Sequence, residues 1–142
     1  MNAVQSSTES TPEIELEQIS VEPNGVRESW SIGWRITNRG VHVLYIQSVR
    51  LPHGQFKAEE QRFEPALVLS RGKAARFHSA VRCDEPAGVV TENAFLIFHV
   101  GWLGEPWRIF VRVRVVVDSQ REPATRVELI TTQKIGFSRV TP

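Results

Sequence analysis

Apolar and polar residues alternate along much of the chain with a period of two, which is the period of a half-buried β-strand. The alternation is cleanest over residues 29–37, where the apolar set is Trp30, Ile32, Trp34 and Ile36. Residues 75–81 repeat the alternation, with Ala75, Phe77, Ser79 and Val81 in one phase. Both segments are predicted to be strands, and the apolar set of residues 29–37 is predicted to face the core.

The first periodic segment begins at Glu13 and changes phase once. Ile14 and Leu16 are apolar in one phase, and Ile19 and Val21 continue in the other. Because a slip of one residue turns every following side chain to the opposite face, the sequence predicts a β-bulge here or a strand that changes partner.

The remaining segments are less regular. Residues 41–51 are predicted to be a strand, and residues 55–65 a connection containing one helical turn. Residues 127–137 fit either a last edge strand or an extended tail. Residues 1–12 lack periodicity and are expected to be a disordered tail. We therefore expect one domain over residues 13–137.

Two apolar runs over residues 92–118 are separated by Leu103-Gly104-Glu105-Pro106, which predicts a β-hairpin. If Trp102 faces Trp107 across this loop, one face of the hairpin becomes wholly apolar. The pairs on that face are then Val100–Ile109, Phe98–Val111, Leu96–Val113 and Ala94–Val115. This face is predicted to belong to the core.

The opposite face of the hairpin is half apolar and half cationic, and it is the candidate partner-binding site. In the predicted register His99 faces Phe110, Ile97 faces Arg112 and Phe95 faces Arg114. The candidate residues are Phe95, Ile97, His99, Arg108, Phe110, Arg112 and Arg114. Arginine stems covering an apolar surface are the purely structural alternative.

Monomers seldom leave such a patch uncovered. The acidic strand at residues 13–17 and a partner chain are the two available covers, and each places a carboxylate beside Arg112.

Three short segments carry a family resemblance. They are Trp34-Arg-Ile-Thr-Asn-Arg-Gly40, the run from Val43 to Pro52, and Leu67-Val-Leu-Ser-Arg-Gly72. Over residues 13–118 the chain resembles bacterial immunoglobulin-like sandwich domains, although it has no cysteine pair and carries Ser70-Arg71 where many relatives have proline. The resemblance implies an all-β, immunoglobulin-like antiparallel β-sandwich and no activity. The near absence of helical periodicity agrees with it.

Composition excludes several classes of protein. The 142 residues carry 17 basic and 16 acidic side chains, so a net charge of +1 argues against binding to nucleic acid or to a membrane surface. The longest apolar runs are far shorter than a membrane-spanning helix. Residues 1–12 do not resemble a secretory signal, and the single cysteine, Cys83, agrees with a reducing compartment. We expect a cytoplasmic protein.

Catalytic signatures are not found. Cys83 is interpreted as a packing residue rather than a reactive thiolate. His42, His53, His78 and His99 show no zinc-binding spacing, and no phosphate-binding loop or Gly-x-Ser-x-Gly elbow occurs. We therefore expect no metal, no cofactor and no enzymatic activity.

The leading hypothesis is a non-enzymatic interaction or scaffold module that binds a protein partner, or a second copy of itself, through the outer face of the hairpin. The alternative is a module that binds a small ligand or a carbohydrate through the loop flanked by Trp102 and Trp107.

Overall fold

A computed structural model describes residues 10–136, and its regular elements are eight β-strands. They are β1 (Ile14–Pro23), β2 (Ser29–Asn38), β3 (Leu44–His53), β4 (Phe56–Leu69), β5 (Ala74–Arg82), β6 (Val90–Trp102), β7 (Glu105–Val117) and β8 (Pro123–Lys134). The prediction of an all-β fold is confirmed. In residues 10–136, no helix is long and apolar enough to cross a membrane.

The strands form one antiparallel sheet in the order β1-β2-β5-β4-β3-β6-β7-β8. The link between β5 and β4 is a single residue pair, Lys57 opposite Arg82. The sheet therefore has a three-stranded part, β1-β2-β5, and a five-stranded part, β4-β3-β6-β7-β8.

The two outer strands, β1 and β8, meet through one side chain. The amide nitrogen of Gln18 on β1 donates to the carbonyl of Pro123 at 3.1 Å. The amide oxygen of Gln18 accepts from the backbone N–H of Thr125 at 2.9 Å and from its hydroxyl at 2.8 Å. The sheet thus nearly closes on itself. This differs from the sandwich expectation, in which two sheets are separate, because hydrogen bonds continue across both junctions.

Inward-facing side chains from both parts of the sheet share one core. Ile32, Trp34 and Ile36 on β2 are fully buried, as predicted, whereas Trp30 is half-buried at the end of the strand. The ring of Phe77 on β5 packs edge-on against that of Phe98 on β6, with centroids 6.0 Å apart. This contact joins the three-stranded part to the five-stranded part.

The phase change in β1 is a bulge, as predicted. Its pairing with β2 slips between Gln18 and Ser20. Ile14 and Leu16 lie in the core before the slip, and Val21 packs against the core after it. The bulge therefore lets both halves of β1 contribute to the core.

The prediction for residues 55–65 was wrong, because these residues belong to the long strand β4 rather than to a connection with a helical turn. Phe56 and Phe63 both contribute to the core, although they are seven residues apart and of opposite parity. The pairing of β4 with β3 slips between Ala58 and Gln61 and again between Arg62 and Leu67. Those slips break the period of two that identifies a strand in sequence.

Residues 127–137 were predicted to be either a last edge strand or an extended tail. The structure shows an edge strand, since residues 127–134 belong to β8. Residues 1–9 of the expected tail and residues 137–142 lie outside the described residues.

Candidate interaction face

The hairpin of β6 and β7 is closed by two residues, Leu103 and Gly104, with φ values of 51° and 75°. Positive φ at both central positions is the signature of a type I′ turn, whose twist matches that of the strands. Trp102 consequently faces Glu105, and Val100 faces Trp107. The predicted pairing of Trp102 with Trp107 was wrong by two residues, because the sequence was interpreted as a four-residue loop.

The prediction of which residues face the core is still correct, because a register shift of two residues leaves each side chain on the same side of the sheet. The observed core pairs are Phe98–Ile109, Leu96–Val111 and Ala94–Val113. All of these side chains are fully buried. The apolar face of the hairpin is therefore the core face, as predicted.

The seven residues predicted for partner binding lie together on the opposite face, which we call the hairpin face. Its observed cross-strand pairs are His99–Arg108, Ile97–Phe110 and Phe95–Arg112. Arg114 lies at its end and pairs with Glu92 at 3.2 Å. Strand β8 extends the face, since Leu129 lies opposite Arg112 and Thr131 opposite Phe110.

Burial on the hairpin face is graded. Ile97 is only 7% exposed although it points away from the core, and Leu129 is 48% exposed. The other six predicted residues are half-buried. Long side chains on this face therefore cover Ile97, in agreement with the packing role expected of arginine stems.

Charge on the hairpin face is incompletely neutralised. None of the ion pairs formed within residues 10–136 includes Arg108 or Arg112. The Nε of Arg108 is buried and has no hydrogen-bond acceptor among these residues. The expectation of a carboxylate beside Arg112 is wrong for this part of the chain.

The acidic strand does not cover the hairpin face. Glu17 pairs with Arg35 at 2.6 Å, and Glu15 with Arg39 at 3.8 Å. Both arginines belong to the β2 region, because β1 forms its backbone ladder with β2 and finds its counter-charges there. The acidic strand at residues 13–17 is therefore excluded as the segment that covers the hairpin face.

His99 lies at the centre of a cationic cluster. Burial lowers the pKa of His99 below the ordinary histidine value of about 6.5, and the neighbouring charge of Arg108 lowers this pKa further. Glu60 opposes the shift, while Arg50 and Arg62 add to it. The imidazole is therefore neutral at pH 7.

Trp102 and Trp107, the residues of the alternative ligand site, are buried. They are 3% and 7% exposed, and their rings pack edge to face at a centroid distance of 5.6 Å. A carbohydrate platform needs an exposed ring face. These two rings instead contribute to the end of the core.

An apolar groove that the sequence did not reveal adjoins the hairpin face. Val68, Tyr45, Gly101 and Pro106 form one row across β4, β3, β6 and β7. Tyr45 is 46% exposed and Val68 58% exposed. Tyr45, Gly101 and Pro106 of this row line a shallow cavity of about 400 Å³, here called the Tyr45 groove, and its remaining lining residues are Gln47, Ala66, Gly104 and Glu105. Only the pairing of β3 with both neighbours brings these residues together, so no local sequence pattern signals the groove.

Cys83 behaves as a packing residue. Its side chain is buried, and burial together with the charge of Glu85 raises the pKa of the thiol above its ordinary value. The thiol is therefore protonated at neutral pH and is a poor nucleophile. Residues 10–136 also hold no group of three or more metal-ligating side chains.

No family model, curated protein or solved structure matches this chain.

Proposed function

We propose that this chain is a non-enzymatic, immunoglobulin-like module that binds another protein through the hairpin face. The observation that carries the proposal is the presence of Arg108 and Arg112, which have no carboxylate partner within residues 10–136, beside half-exposed apolar side chains. Apolar groups interleaved with arginine are the composition typical of protein–protein contact sites.

The strand order supports the immunoglobulin-like part of the proposal. In that fold, strands A, B and E share one sheet and strands C, F and G the other. Here β1-β2-β5 and β3-β6-β7 are neighbours in the corresponding orders. In this comparison β4 takes the place of strand D but pairs mainly with β3, and β8 is an additional strand beside β7.

The chemistry of the face indicates the chemistry of its partner. An acidic, partly apolar protein surface would supply carboxylates to Arg108 and Arg112 and would cover Phe95, Phe110 and Leu129. Arginine is suited to this role because its planar guanidinium binds a carboxylate with two parallel hydrogen bonds.

A different protein fits the face better than a second copy of this chain. The most regular acidic strand of the chain is β1, and its Glu15 and Glu17 are already paired with arginines of their own molecule. A second copy that docked through β1 would have to break those pairs. We also propose a cytoplasmic location, since a single buried thiol suits a reducing compartment.

Site-specific photocrosslinking tests the proposal. A benzophenone amino acid replaces Thr131, which lies on the hairpin face opposite Phe110. A control replaces Ala80, an exposed residue of β5 in the other part of the sheet. We expect a discrete protein adduct from position 131 only, in cells that naturally make the protein.

Specificity is checked by adding Arg112→Glu to the position-131 variant, because a reversed charge repels an acidic partner. We expect this change to abolish the adduct while circular dichroism remains unchanged. Equal adducts from positions 131 and 80, or an adduct that survives Arg112→Glu in the folded protein, would refute the proposal. An adduct of twice the chain mass would identify self-association instead.

A further inference from the structure

Gly101 lies in the middle of the Tyr45 groove, and the fold itself does not require a glycine there. Its φ is not in the left-handed range that favours glycine. A Cβ at this position would first meet the Nε2 of Gln47 and the Cβ of Tyr45, each at 3.7 Å, which is ordinary contact. Glycine inside a strand costs stability and often marks a place where a ligand or another chain approaches closely.

The walls around Gly101 are mostly apolar and accessible, and the polar lining residues are Gln47 and Glu105, whose carboxylate is paired with Lys134 at 2.7 Å. Tyr45 lies directly opposite it on β3, and Pro106 lies directly opposite it on β7. Val68, more than half exposed, extends the row beyond Tyr45. A cavity of about 400 Å³ with this lining is large enough for one aliphatic side chain or proline ring.

The next row along the strands carries one arginine, Arg108. His99 precedes Gly101 by two residues on β6, which corresponds to about 7 Å along the strand. Arg108 lies opposite His99, and its buried Nε has no acceptor in the described chain. Arg50 is a diagonal neighbour, since it lies opposite Ile97 on β3.

We propose that the Tyr45 groove and Arg108 together bind an extended segment of the partner protein in which an apolar residue and an acidic residue are two positions apart. Same-side residues of an extended chain repeat at about 7 Å, the spacing that separates the groove from the row of Arg108. The apolar side chain covers Gly101, and the carboxylate meets the guanidinium of Arg108. This inference rests on the proposed function and specifies the partner's chemistry.

Three displayed peptide libraries test the spacing on the full-length protein. The first fixes Leu-x-Glu within random flanks, the second fixes Leu-x-x-Glu, and the third fixes Leu-x-Lys. We expect the first to be enriched about tenfold or more over the others, the factor typical of one charge-assisted contact. Equal enrichment of the three libraries, or no enrichment of any, would overturn the inference.

Two variants, each at one of the proposed contacts, and one control variant test whether the peptides bind at this site. Gly101→Val fills the groove without crowding the backbone and should abolish enrichment. The matched strand substitution Ala80→Val, at an exposed position of β5, should leave enrichment unchanged. Arg108→Met keeps most of the stem and removes the charge, so it should remove the preference for Leu-x-Glu over Leu-x-Lys. Retention of Leu-x-Glu binding by folded Gly101→Val would refute the groove.

The failures of the two proposals are distinguishable. If the adduct from position 131 persists in Gly101→Val and still requires Arg112, the hairpin face binds a partner but the groove is not its anchor. If Leu-x-Glu peptides require Gly101 but position 131 gives no adduct, the groove binds peptides and the proposed function fails.

Discussion

The side-chain amide of Asn38 donates a hydrogen bond to the backbone carbonyl of Leu69 at 2.8 Å, and this contact joins the end of β2 to the end of β4. The same amide donates to the carbonyl of His42 at 2.9 Å and accepts from the N–H of Gly40 at 2.9 Å. Asn38 is 1% exposed, so its polar groups are satisfied inside the protein. It lies at the opposite end of β2 from Ser29, which pairs with Arg82 of the single β4–β5 link. The junction between the two parts of the sheet is thus held at both ends.

Replacing Asn38 by leucine should therefore destabilise the fold. The change leaves the Leu69 and His42 carbonyls and the Gly40 N–H without their partner, and each buried unsatisfied group costs about 1–3 kcal/mol. We expect the free energy of unfolding to fall by about 2–4 kcal/mol in urea denaturation. Asn24→Leu is the control, because Asn24 bonds only within its own loop, and it should cost less than about 1 kcal/mol. Equal losses for the two variants would contradict the bridging role of Asn38.

Gln18 holds the two edges of the sheet together, so Gln18→Leu should loosen them. The variant loses three hydrogen bonds to Pro123 and Thr125. We expect a loss of about 1–3 kcal/mol in unfolding free energy and faster amide hydrogen exchange in β8. Gln120→Leu, in the exposed loop before β8, serves as the control. Unchanged exchange of the Thr125 amide, which donates directly to Gln18, would show that the edges do not depend on this side chain.

Gly33 is required by its neighbours rather than by its backbone angles. A Cβ there would overlap the hydroxyl of Ser20 on β1 and crowd the imidazole of His78 on β5. Gly33→Ala should therefore lower the free energy of unfolding by about 1–3 kcal/mol. This is the opposite of the usual effect, because alanine is normally more stable than glycine inside a strand. Because the closest atom is the Ser20 hydroxyl, Ser20→Ala should recover part of the loss. A double-mutant cycle measures this coupling, and additive effects would rule out the steric explanation.

Periodicity predicted which face each strand presents, but it did not predict register. On β6 and β7 the core and outer faces follow from alternation alone, whereas pairing depends on whether Glu105 and Pro106 belong to the loop or to β7. The conformation of Leu103 and Gly104 decides this, and leucine at positive φ has no clear sequence signal.

Strand β4 and the Tyr45 groove escaped prediction for related reasons. Bulges in the pairing of β4 with β3 shift the phase of its core residues, so no single period describes the segment. The groove joins residues of four strands, and the local patterns of residues 41–51 and 92–118 do not show that Tyr45 and Gly101 lie opposite each other. Long-range pairing is the information that a local pattern lacks.

The outer hairpin residues were identified correctly as one surface, but their cover was not. The sequence shows acidic residues at alternate positions of β1 and arginines at alternate positions of β7. It does not show which strand pairs with β1. The structure pairs β1 with β2, whose Arg35 takes Glu17. Strand order therefore decided an ion pair that charge patterning left open.

The pKa of His99 makes stability depend on pH in a defined direction. Burial and Arg108 lower this pKa in the folded protein below the ordinary histidine value of about 6.5, so the unfolded chain binds the proton more tightly. Protonation therefore favours unfolding. Well above the unfolded-state pKa the imidazole is neutral in both states and this contribution to stability is fully present. As the pH falls below 6.5 the contribution is progressively lost, until the pH passes the folded-state pKa.

Comparison of wild type with His99→Gln isolates this effect, because glutamine does not titrate. We expect the difference in unfolding free energy between the two proteins to be constant above pH 7. Below pH 6.5 it should shift in favour of the variant. The ring-proton shifts of His99 in nuclear magnetic resonance should report its folded-state pKa directly.

Arg108→Met should raise the pKa of His99 towards its ordinary value, because it removes the neighbouring charge that lowers this pKa most. Arg121→Met, at a position paired with Asp84, should leave it unchanged. A His99 pKa above 6.5 in the wild-type protein would contradict the cationic character of the cluster. A pKa that fails to rise in Arg108→Met would assign the shift to burial and to the other two arginines, and the guanidinium of Arg108 would then be too well screened to attract a partner's carboxylate.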